Sequence, residues 1–405
     1  MLPEGWKKTS LEDIAEVRSG IAKGQKSVTN PINLPYLRVA NVQDGYLDLT
    51  EVKTIEIDKE KVERFSLHTG DVLMNEGGDF DKLGRGDVWR GQITPCLHQN
   101  HVFAVRPDQE KLDSYFLANL SASPYGKGYF LSCAKRSTNL ASINSTQLKQ
   151  FPVVLPPLPE QKKIAAILST WDRAIEGLGQ LLANSQQQKK ALMQQLLTGK
   201  KRLPGFTGEW KTHRLSDIAK LGTGNTAPQE SHYFSESGHD FLRVSDLGSS
   251  TGRWAPVSRD KITLQAIDDH RMSPAPSGAT LFTKSGASLL LNQRAQIAYD
   301  TYIVGHLGYA KAKKGYYDNY LFYILSEIDF SKIASGTSLP ALKISDLGKT
   351  VLHIPSLPEQ KAIAAVLTTA DEEITAIESD LSRLRQEKKA LMQQLLTGKR
   401  RVTVN

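Results

Sequence analysis

Apolar residues recur at alternating steps of four and three in two stretches of the chain. The first stripe consists of Ile164, Leu168, Trp171, Ile175, Leu178 and Leu182, with Leu192 and Leu196 in the same phase. The second consists of Ile363, Leu367, Ala370, Ile374, Ile377, Leu381, Leu384, Leu391 and Leu395. This spacing keeps apolar side chains on one face of a helix and is typical of coiled coils. The pattern predicts two long helices that pack along these stripes.

Start and stop signals flank both stripes. Pro159 and Pro358 precede the apolar repeats, and proline suits the first turn of a helix because the N–H group it lacks would be unpaired there. Gly199 and Gly398 follow the repeats, where glycine can adopt the left-handed conformation that ends a helix. The sequence therefore predicts a helix over residues 160–198 and a second helix at the matching positions.

Basic residues follow each of these glycines, with KKR at 200–202 and KRR at 399–401. A cation at the C-terminal end of a helix interacts favourably with the helix dipole. The same cations could instead contact a DNA backbone. The sequence leaves both interpretations open.

The long helical segment occurs twice in the chain. Residues 158–200 and 357–399 are identical at 26 of 43 positions, and both end in KKALMQQLLTGK. Shorter similarities open the two halves: GWKKTSLEDIAEVRSG resembles EWKTHRLSDIAKLGTG, and YLRVANV resembles FLRVSDL. An internal repeat of this length defines the architecture. The chain is a tandem of two halves, each with a globular region followed by a long helix.

Polar positions of the helical segment are repeated as well, although helix packing would constrain only the apolar stripe. Lys190, Gln194 and Gln195 recur 199 positions later, where the glutamines are Gln393 and Gln394. A recent duplication would explain this identity only if the globular regions had also stayed alike, and they have diverged. We therefore expect these residues to form a partner-binding surface that is presented to two copies of one partner.

Connectivity limits how the halves can be arranged, because only a short linker separates the first helix from the second globular region. The simplest solution is an antiparallel helix pair with one globular domain at each end and a pseudo-twofold axis. The predicted segments are residues 1–157 for the first globular domain, 158–200 for the first helix, 201–356 for the second domain with its entry linker, 357–400 for the second helix and 401–405 for the tail.

Strand and helix patterns are mixed within the globular regions. ITPCLHQNHVFAVRP alternates as strands do, whereas LDSYFLANLSAS and YDNYLFYILSEI have helical spacing. We expect an α+β fold, with two tandem mixed α/β domains separated by two long antiparallel helices that form a coiled coil.

Composition excludes some classes of protein. No stretch approaches the roughly 18 uninterrupted apolar residues of a membrane helix, and MLPEGWKKTS lacks the apolar segment of a signal peptide. We expect a cytoplasmic protein whose two cysteines remain thiols. The net charge of +8 is distributed as zero over residues 1–157, +5 over 158–202, +2 over 203–356 and +1 over 357–405. This distribution allows DNA binding through local clusters of basic residues.

Sequence motifs of catalysis are missing. GIAKGQKS lacks the Gly-Lys pair of a Walker A loop, and the two prolines at 156–157 lack the polar and aromatic neighbours of an amino-methyltransferase motif. Cys96, His98 and His101 are the best candidates for metal ligands, but alternation along a strand separates their side chains and no fourth ligand is close in sequence. We expect neither catalytic residues nor a metal site.

Taken together, these features resemble the specificity (S) subunits of type I restriction-modification systems. The resemblance rests on PLPEQKKIAAIL at the start of the helix, ALMQQLLTGK at its end, two dissimilar globular regions in tandem and a length near 400 residues. It spans the whole chain.

The resemblance implies a DNA-recognition subunit without catalysis of its own. In this family each variable region is a target recognition domain that reads one half of a split, asymmetric site in double-stranded DNA. The helices set the spacer and bind two methyltransferase (M) subunits, which carry S-adenosylmethionine and methylate adenine. Restriction (R) subunits of the full complex use ATP and magnesium.

Base reading requires Arg, Lys, Asn or Gln on loops or strand ends, and hydroxyl groups add phosphate contacts. In the first domain the candidates are Lys23, Gln25, Lys26, Arg38, Lys82, Arg85, Gln99, Asn100, Arg136 and Asn139. In the second domain they are Thr223, Asn225, Arg243, Lys284, Asn292, Gln293, Arg294, Lys311, Lys313 and Lys314. Each could equally be a solvated surface residue. Arg38 and Arg243, which match in the two LRV segments, are as readily structural as DNA-facing.

Two other functional classes remain compatible with the residues alone. A self-contained DNA-modifying enzyme would require a catalytic signature, and purified protein that transfers no methyl group would exclude it. A coiled-coil adaptor without a DNA role would account for the helices but would leave the diverged basic loops unexplained. DNA binding by the purified chain, alone and with the M subunit, distinguishes these classes.

Overall fold

A computed structural model of the chain describes residues 2–22, 29–80, 83–136, 140–250, 252–336 and 339–404. The chain forms two compact units. Unit 1 consists of Met1–Leu178 and Leu381–Asn405, and unit 2 consists of Gly179–Asp380. Each long helix therefore begins in one unit and ends in the other, so the units do not coincide with the segments expected from the repeat.

Unit 1 contains twelve described strands and four short helices besides its parts of the long helices. The strands are β1 (Lys7–Ser10), β2 (Ala15–Ser19), β3 (Pro31–Leu37), β4 (Lys53–Asp58), β5 (Val72–Asn75), β6 (Gly77–Gly78), β7 (Gly86–Val88), β8 (Leu97–His98), β9 (Val102–Pro107), β10 (Lys135–Arg136), β11 (Ala141–Ser142) and β12 (Pro152–Leu155). The helices are α1 (Val62–Phe65), α2 (Ser114–Ala122), α3 (Pro124–Cys133) and α4 (Ser145–Lys149), and the first long helix is α5 (Leu158–Leu196).

Unit 2 contains nine described strands. They are β13 (Lys211–Arg214), β14 (Ala219–Thr223), β15 (Phe234–Leu242), β16 (Asp260–Ile262), β17 (Thr280–Thr283), β18 (Arg294–Gln296), β19 (Tyr302–Ile303), β20 (Leu307–Ala312) and β21 (Val351–Ile354). The helices are α6 (Leu215–Ile218), α7 (Val244–Gly248), α8 (Leu264–Asp269), α9 (Asp318–Glu327) and α10 (Ile344–Gly348), and the second long helix is α11 (Leu357–Leu395).

The sheets of the two units have the same topology despite their divergent sequences. A four-stranded antiparallel sheet has the order β2-β9-β5-β7 in unit 1 and β14-β20-β17-β18 in unit 2. A three-stranded sheet has the order β4-β3-β8 and β16-β15-β19, with one parallel pair in each. The expected α+β class is confirmed, and the structure adds the strand order, which the sequence pattern left undetermined.

A two-stranded antiparallel sheet joins the entry and exit of each globular region. In unit 1, β1 pairs with β12 so that Lys7 is opposite Leu155, and α5 begins three residues after that strand ends. In unit 2, β13 pairs with β21 so that Lys211 is opposite Ile354, just before α11. Each region is thus closed where it meets its long helix.

The two long helices pack antiparallel in each unit. In unit 1, Lys388 is paired with Asp172 (2.5 Å) and Arg401 with Glu160, so positions rise along one helix as they fall along the other. In unit 2 the pairs are Lys189 with Asp371 and Arg202 with Glu359, each 199 positions away from its counterpart. The predicted antiparallel arrangement follows from this matched order of ion pairs.

Residues of the predicted stripes lie on the helix faces that are covered. The fully buried members are Ile164, Leu168, Leu196, Ile363, Leu367, Ile377, Leu381 and Leu395. The partly buried members are Trp171, Ile175, Leu178, Leu182, Leu192, Ala370, Ile374, Leu384 and Leu391. The prediction missed Met193, Leu197, Met392 and Leu396, which are also buried. These residues lie near helix ends, where a second apolar face packs against the core of a globular region.

Glycine ends both long helices as predicted. Gly199 and Gly398 have φ values of 70° and 74°, a region that side-chain-bearing residues rarely adopt. In the turn that follows, the backbone N–H of Lys201 donates to the carbonyl of Gln195, and that of Arg400 donates to Gln394, both at 3.1 Å. The third residues of the basic triplets, Arg202 and Arg401, turn back towards the start of the opposite helix.

The start of each helix carries a buried Glu-Gln pair, and an arginine from beyond the end of the other helix reaches the glutamate. We call these three residues the helix-start clamp. The two clamps are Glu160, Gln161 and Arg401 in unit 1, and Glu359, Gln360 and Arg202 in unit 2. Each arginine donates two hydrogen bonds to its carboxylate, whose side chain is only 2–3% exposed. The sequence left open whether the basic triplets contact DNA. For the last residue of each triplet, Arg202 or Arg401, the structure shows an ion pair with a buried glutamate instead.

The glutamine of each clamp fixes the globular region to the helix. In unit 1, Gln161 donates to the carbonyls of Lys111 and Pro156 and accepts from the N–H of Asp113, each at 2.9 Å. In unit 2, Gln360 donates to the carbonyl of Pro355 (2.9 Å) and accepts from the N–H of Tyr317 (3.0 Å). A buried amide that spans the two elements holds their relative orientation.

None of the helices in the described part of the chain combines the length and apolar character needed to span a lipid bilayer.

The two clamps differ in one contact, which gives a matched test of their role. The indole N–H of Trp6 donates to Glu160 (3.0 Å), whereas the indole N–H of Trp210 has no hydrogen-bond partner. Arg202→Met would leave the buried Glu359 without its charge partner, and we expect a fall of about 5 °C in Tm. Arg401→Met should cost less, because Glu160 keeps the bond from Trp6. Calorimetry measures both.

The neighbouring exposed lysines provide the control for this prediction. Lys200→Met and Lys399→Met remove a cation of the same triplets without touching the clamps and should leave Tm unchanged. Equal Tm values for all four variants and the parent chain would show that the clamps do not stabilise the helix pair.

Candidate functional site

The segment after β2 lies against the loop between β8 and β9 in unit 1. A Cβ atom on Gly20 would lie 2.1 Å from the carbonyl oxygen of His98, so only glycine permits this approach. Ile21 donates to the carbonyl of His98 (2.8 Å) and accepts from the N–H of Asn100 (3.0 Å). Two predicted DNA-binding segments, SGIAKGQK and HQNH, are therefore adjacent. Lys23, Gln25 and Lys26 lie outside the described residues.

A second contact brings the glycine-rich loop to the same place. The backbone N–H of Glu76 donates to the carbonyl of His101 (3.0 Å), and the Glu76 carboxylate bonds to Nδ1 of His101 (2.5 Å). On its other side, β6 pairs with β11 of the β10–β11 hairpin, and the N–H of Ile143 donates to the carbonyl of Glu76 (2.8 Å). The described parts of the four basic segments predicted for the first domain thus lie next to one another.

The described side chains of this cluster differ in exposure. Arg136 is exposed, donates to the carbonyl of Leu131 (3.0 Å) and lies 5.9 Å from the ring centroid of Phe80. Gln99 and Asn100 are partly buried, as is Arg85, whose Nε is enclosed without a hydrogen-bond partner. Lys82 and Asn139 lie outside the described residues. Among the described candidates, Arg136 is therefore the most available cation.

In unit 2 the corresponding loops also lie next to one another, but they contain different residues. Asn225 donates its N–H to the carbonyl of Ile303 (2.8 Å), as the segment after β14 passes the turn between β19 and β20. Lys284 donates its N–H to the carbonyl of His306 (2.9 Å) and accepts from the N–H of Leu342 (2.7 Å). Ser285 bonds to Nδ1 of His306 (2.7 Å). Lys284 and His306 are thus the counterparts of Glu76 and His101.

His306 was not among the predicted site residues, although the sequence holds a signal for it. His101 immediately precedes strand β9, and His306 immediately precedes strand β20, the central strand at the matching place in the other unit. Aligning the two halves by these strands, in addition to the repeated helix and the short similarities, would have paired the two histidines.

Several candidates in unit 2 have their side chains occupied by the fold. The amide of Asn225 donates to the carbonyl of Ser273 (3.0 Å) and accepts from its N–H (2.9 Å). Asn292 has a φ of 50°, accepts from the N–H of Phe330 (2.8 Å) and donates to Asp329 (2.8 Å). We therefore correct the expectation for these two residues: their hydrogen-bonding groups hold loops together.

Arg294 is also part of the packing of unit 2. Its guanidinium lies 3.5 Å from the ring centroid of Phe330 and donates to the carbonyls of Gln293 (2.8 Å) and Ile328 (3.3 Å). Burial lowers the pKa of Arg294 to about 9, so the group remains charged at neutral pH. Its neighbour Gln293 donates to the carbonyl of Gly248 (3.2 Å). Arg294 therefore stabilises the fold, contrary to the expectation that it lies free in a polar loop.

The basic run at 311–314 is separated from the converging loops. Lys311 pairs with Asp318 (2.6 Å), and Lys313 donates to the carbonyl of Ser216 (2.6 Å), whereas Lys314 is exposed. This run lies at the far end of β20 from His306, about 15–20 Å along a strand of six residues. Of the remaining candidates, Thr223 is exposed at the loop end of β14, and Lys284 is partly buried.

The matched arginines of the LRV segments occupy the same backbone position in both units. The N–H of Arg38 donates to the side chain of Asn41 (2.9 Å), and the N–H of Arg243 donates to Asp246 (2.8 Å), each at the start of a short helical turn. The guanidinium of Arg243 pairs with Asp260, and that of Arg38 lies 3.8 Å from Glu51. The ion pair favours the structural alternative for Arg243, whereas the Nε of Arg38 is buried without a hydrogen-bond partner and both roles stay open for that residue.

The three residues considered as metal ligands, Cys96, His98 and His101, each have a different environment. Burial raises the pKa of Cys96 to about 12 and lowers the pKa of His98 to about 4, and Nδ1 of His98 bonds to the carbonyl of Val102 (2.7 Å). His101 bonds to Glu76. Within the described ranges, no group of three or more His, Cys, Asp or Glu side chains is placed to hold a metal ion.

The predicted partner-binding residues are exposed on both long helices. Lys190, Gln194 and Gln195 on α5 and Gln393 and Gln394 on α11 all lie on the solvent side. The buried neighbours on the same turns are Met193 and Met392, which face the cores. The identical polar residues therefore form the same outward surface near the end of each helix.

Comparison with known proteins gives a match to one family over most of the chain. The family model for the type I restriction modification DNA specificity domain matches residues 3–184 and 207–384. A putative specificity subunit of the type I restriction enzyme MjaX from Methanocaldococcus jannaschii is 28% identical over 426 aligned residues, covering 99% of this chain and 95% of the relative. The EcoKI specificity subunit of Escherichia coli K12 is 26% identical over 162 residues, covering 39% of this chain and 34% of the relative.

Solved structures show the same fold. The HsdS subunit from Thermoanaerobacter tengcongensis superposes with a TM-score of 0.51 and 18% identity, covering 98% of each chain. The S subunit of a type I restriction-modification system from M. genitalium superposes with a TM-score of 0.60 and 14% identity, covering 96% of each chain.

The packing of Arg294 leads to a stability prediction. Arg294→Ala removes the cation over Phe330 and two hydrogen bonds to carbonyls, and we expect the free energy of unfolding of unit 2 to fall by about 2 kcal/mol. Arg294→Lys should restore little of it, because an ammonium cannot stack or fork as a guanidinium does. Arg136→Ala, at an exposed site, is the control and should leave stability unchanged. Urea denaturation checks all three, and an Arg294→Ala chain as stable as the parent would contradict the structural role.

Proposed function

The chain belongs to the family of type I restriction modification DNA specificity proteins, and we propose that it reads a split, asymmetric DNA site on behalf of a methyltransferase complex. Specificity subunits of type I systems are non-catalytic DNA-recognition subunits. We assign the role of target recognition domain to residues 1–157 and 201–356, and the role of spacer helix to residues 158–200 and 357–400.

One observation carries this proposal: the two globular regions build the same framework and place different side chains at its converging loops. Glu76 stands in one loop cluster where Lys284 stands in the other, and both contact a matched histidine. A framework that is repeated while its loops differ suits two readers of different base sequences. Each domain would therefore recognise one half of the site, and the full site would be asymmetric.

The proposed DNA contacts are basic and polar residues that belong to each cluster or to its neighbouring segments. In the first domain these are Gln99, Asn100 and Arg136, together with Lys23, Gln25, Lys26, Lys82 and Asn139 of the neighbouring segments. In the second domain, Thr223 and Lys284 occupy the corresponding loops. Side chains already occupied by the fold, such as Arg294, would act indirectly by holding the loops.

The chemistry of the complex would reside in its partners. Two M subunits would bind S-adenosylmethionine and transfer the methyl group to adenine. R subunits, where present, would bind ATP and magnesium. The present chain would contribute recognition of double-stranded DNA and the geometry of the assembly.

Mapping of methylated adenines tests this proposal most directly. The full-length chain is expressed with an M subunit in a host that lacks its own adenine methylation, and the methylated positions are read by sequencing. We expect one split motif with a constant, unspecified spacer. Methylation at continuous sites, or at none, would refute the assignment.

The repeated outer surface predicts the number of M subunits. The unmodified chain should bind two M subunits, and changing Gln194 and Gln195 to Glu should remove one, because a carboxylate cannot donate the hydrogen bonds of an amide and adds charge. The same change at Gln393 and Gln394 should remove the other. Gln188→Glu is the control, since the second helix already has Glu387 at that position. Native mass spectrometry gives the number of bound M subunits. A single M subunit on the unmodified chain would contradict the proposal that the repeated surface binds two.

The long helices lead to a prediction about spacer length. At 1.5 Å per residue, a helix of 39 residues is about 58 Å long, comparable to about 17 base pairs at 3.4 Å each. Four residues inserted between Leu182 and Lys189, with four between Leu381 and Lys388, add about 6 Å and locally unwind the coiled coil. We expect the spacer to lengthen by one or two base pairs while both half-site sequences stay the same.

The same methylation mapping reads out the insertion variant. An insertion in only one helix serves as the control and should impair assembly, because the ion pairs between the helices lose their register. Altered half-site bases with an unchanged spacer would show that the helices do not determine the spacing.

A further inference from the structure

A short hairpin emerges from the loop cluster of unit 1. Its strands β10 and β11 pair so that Arg136 is opposite Ala141, and β11 also pairs with β6 next to Glu76. Leu140 lies at the end of the connecting loop, and 55% of its surface is exposed. The two strand residues Lys135 and Arg136 are exposed as well. The hairpin thus presents a large apolar side chain beside two cations.

Unit 2 has a leucine at the matching place. Ser335 pairs with Ala341, which in turn pairs with Ser285 beside His306, so this loop is also attached to the loop cluster. Leu339 precedes this pairing by two residues and is 77% exposed. It lies 199 positions after Leu140, the same offset that relates the two long helices.

Burial in the core explains why Leu148 and Leu347 are the same residue in the two units, but it does not explain the identity of Leu140 and Leu339. When residues 135–155 are aligned with 334–354 by the same offset, only three positions are identical, namely 138 with 337, 140 with 339, and 148 with 347. Leu148 and Leu347 are fully buried, so the core accounts for their identity. Leu140 and Leu339 are exposed. Single exposed leucines are common on protein surfaces, but a matched pair in segments that are identical at only three of 21 positions favours a shared ligand.

We propose that Leu140 and Leu339 are apolar wedges that insert between neighbouring base pairs, one in each half of the DNA site. This inference rests on the proposed function, because it requires the loop clusters to face DNA. Leucine is among the side chains that proteins insert between base steps, and cations beside it can hold the flanking phosphates. In unit 1, Lys135 and Arg136 are placed for that role.

The charge around the hairpin favours DNA over a protein partner. The cores of protein–protein interfaces are depleted of charged residues, and lysine, unlike arginine, is depleted at such interfaces generally. Leu140, by contrast, follows two exposed cations on the same hairpin, and the loop cluster around Leu339 includes Lys284. A wedge between base pairs would also let each domain sense how easily a base step unstacks, which is a form of sequence recognition without hydrogen bonds to bases.

The test uses the full-length chain in complex with its M subunit and a duplex that contains the mapped site. 2-Aminopurine, whose fluorescence rises when the base unstacks, is placed at successive positions of each half-site except the methylated adenine, which the M subunit itself would extrude. With the unmodified chain we expect one bright position in each half. Leu140→Ala should abolish the signal in the half read by the first domain only, and Leu339→Ala should abolish the other. Each change should weaken binding to the site about ten-fold, because most of the inserted apolar surface is lost.

Two further variants separate a wedge from a general loss of structure. Leu140→Phe keeps a large apolar side chain and should retain both the signal and the affinity. Leu264→Ala removes an exposed leucine (67%) on α8, outside the hairpin, and should change neither.

The outcomes distinguish this inference from the proposed function. If the unmodified complex methylates a split site but no position brightens, or if the alanine variants bind with unchanged affinity, the wedge is wrong and the recognition role stands. If the alanine variants lose M subunits in the absence of DNA, the leucines dock on protein and the wedge is again wrong. If the unmodified complex binds no specific site, the proposed function itself fails.

Discussion

A buried carboxylate at the start of each long helix constrains the rest of the molecule. A buried negative charge must be paired, and for Glu160 and Glu359 the partner is an arginine just beyond the end of the opposite helix. This pairing is possible only if the helices run antiparallel and in one register. The glutamine that follows each carboxylate extends the constraint to the globular region, whose backbone it bonds. A dipeptide of the repeated sequence thus positions a helix pair and a recognition domain together.

The helical framework was the most predictable part of the fold because its determinants are local and repeated. The apolar spacing, the proline starts and the glycine ends are all present in single segments, and Gly199 and Gly398 adopt the expected left-handed conformation. The prediction failed for Met193 and Met392, since their burial depends on a globular region that packs on the helix end as well as on the facing helix. A seven-residue repeat predicts only which residues face the other helix, so it cannot predict burial against a globular region.

The loop clusters were predictable as segments but not as individual side chains. The sequence offered four basic segments of the first domain as separate candidates, and it gave no sign that their described parts lie next to one another near Glu76 and His101. For single residues, composition could not separate an exposed cation from a buried one: Arg136 and Arg294 have the same chemistry, but Arg136 is exposed whereas Arg294 is packed on Phe330. That difference arises from contacts between residues distant in the chain, so no local pattern reveals it.

The small sheets formed by β1 with β12 and by β13 with β21 have an evolutionary consequence. Because each globular region enters and leaves through two adjacent strands, its chain ends lie side by side, with Lys7 opposite Leu155 in one unit and Lys211 opposite Ile354 in the other. A gene segment that encodes a different region with the same paired ends could be exchanged at this base without disturbing the helices. New DNA specificities would then arise by recombination of whole globular regions, while the two long helices would keep the same arrangement.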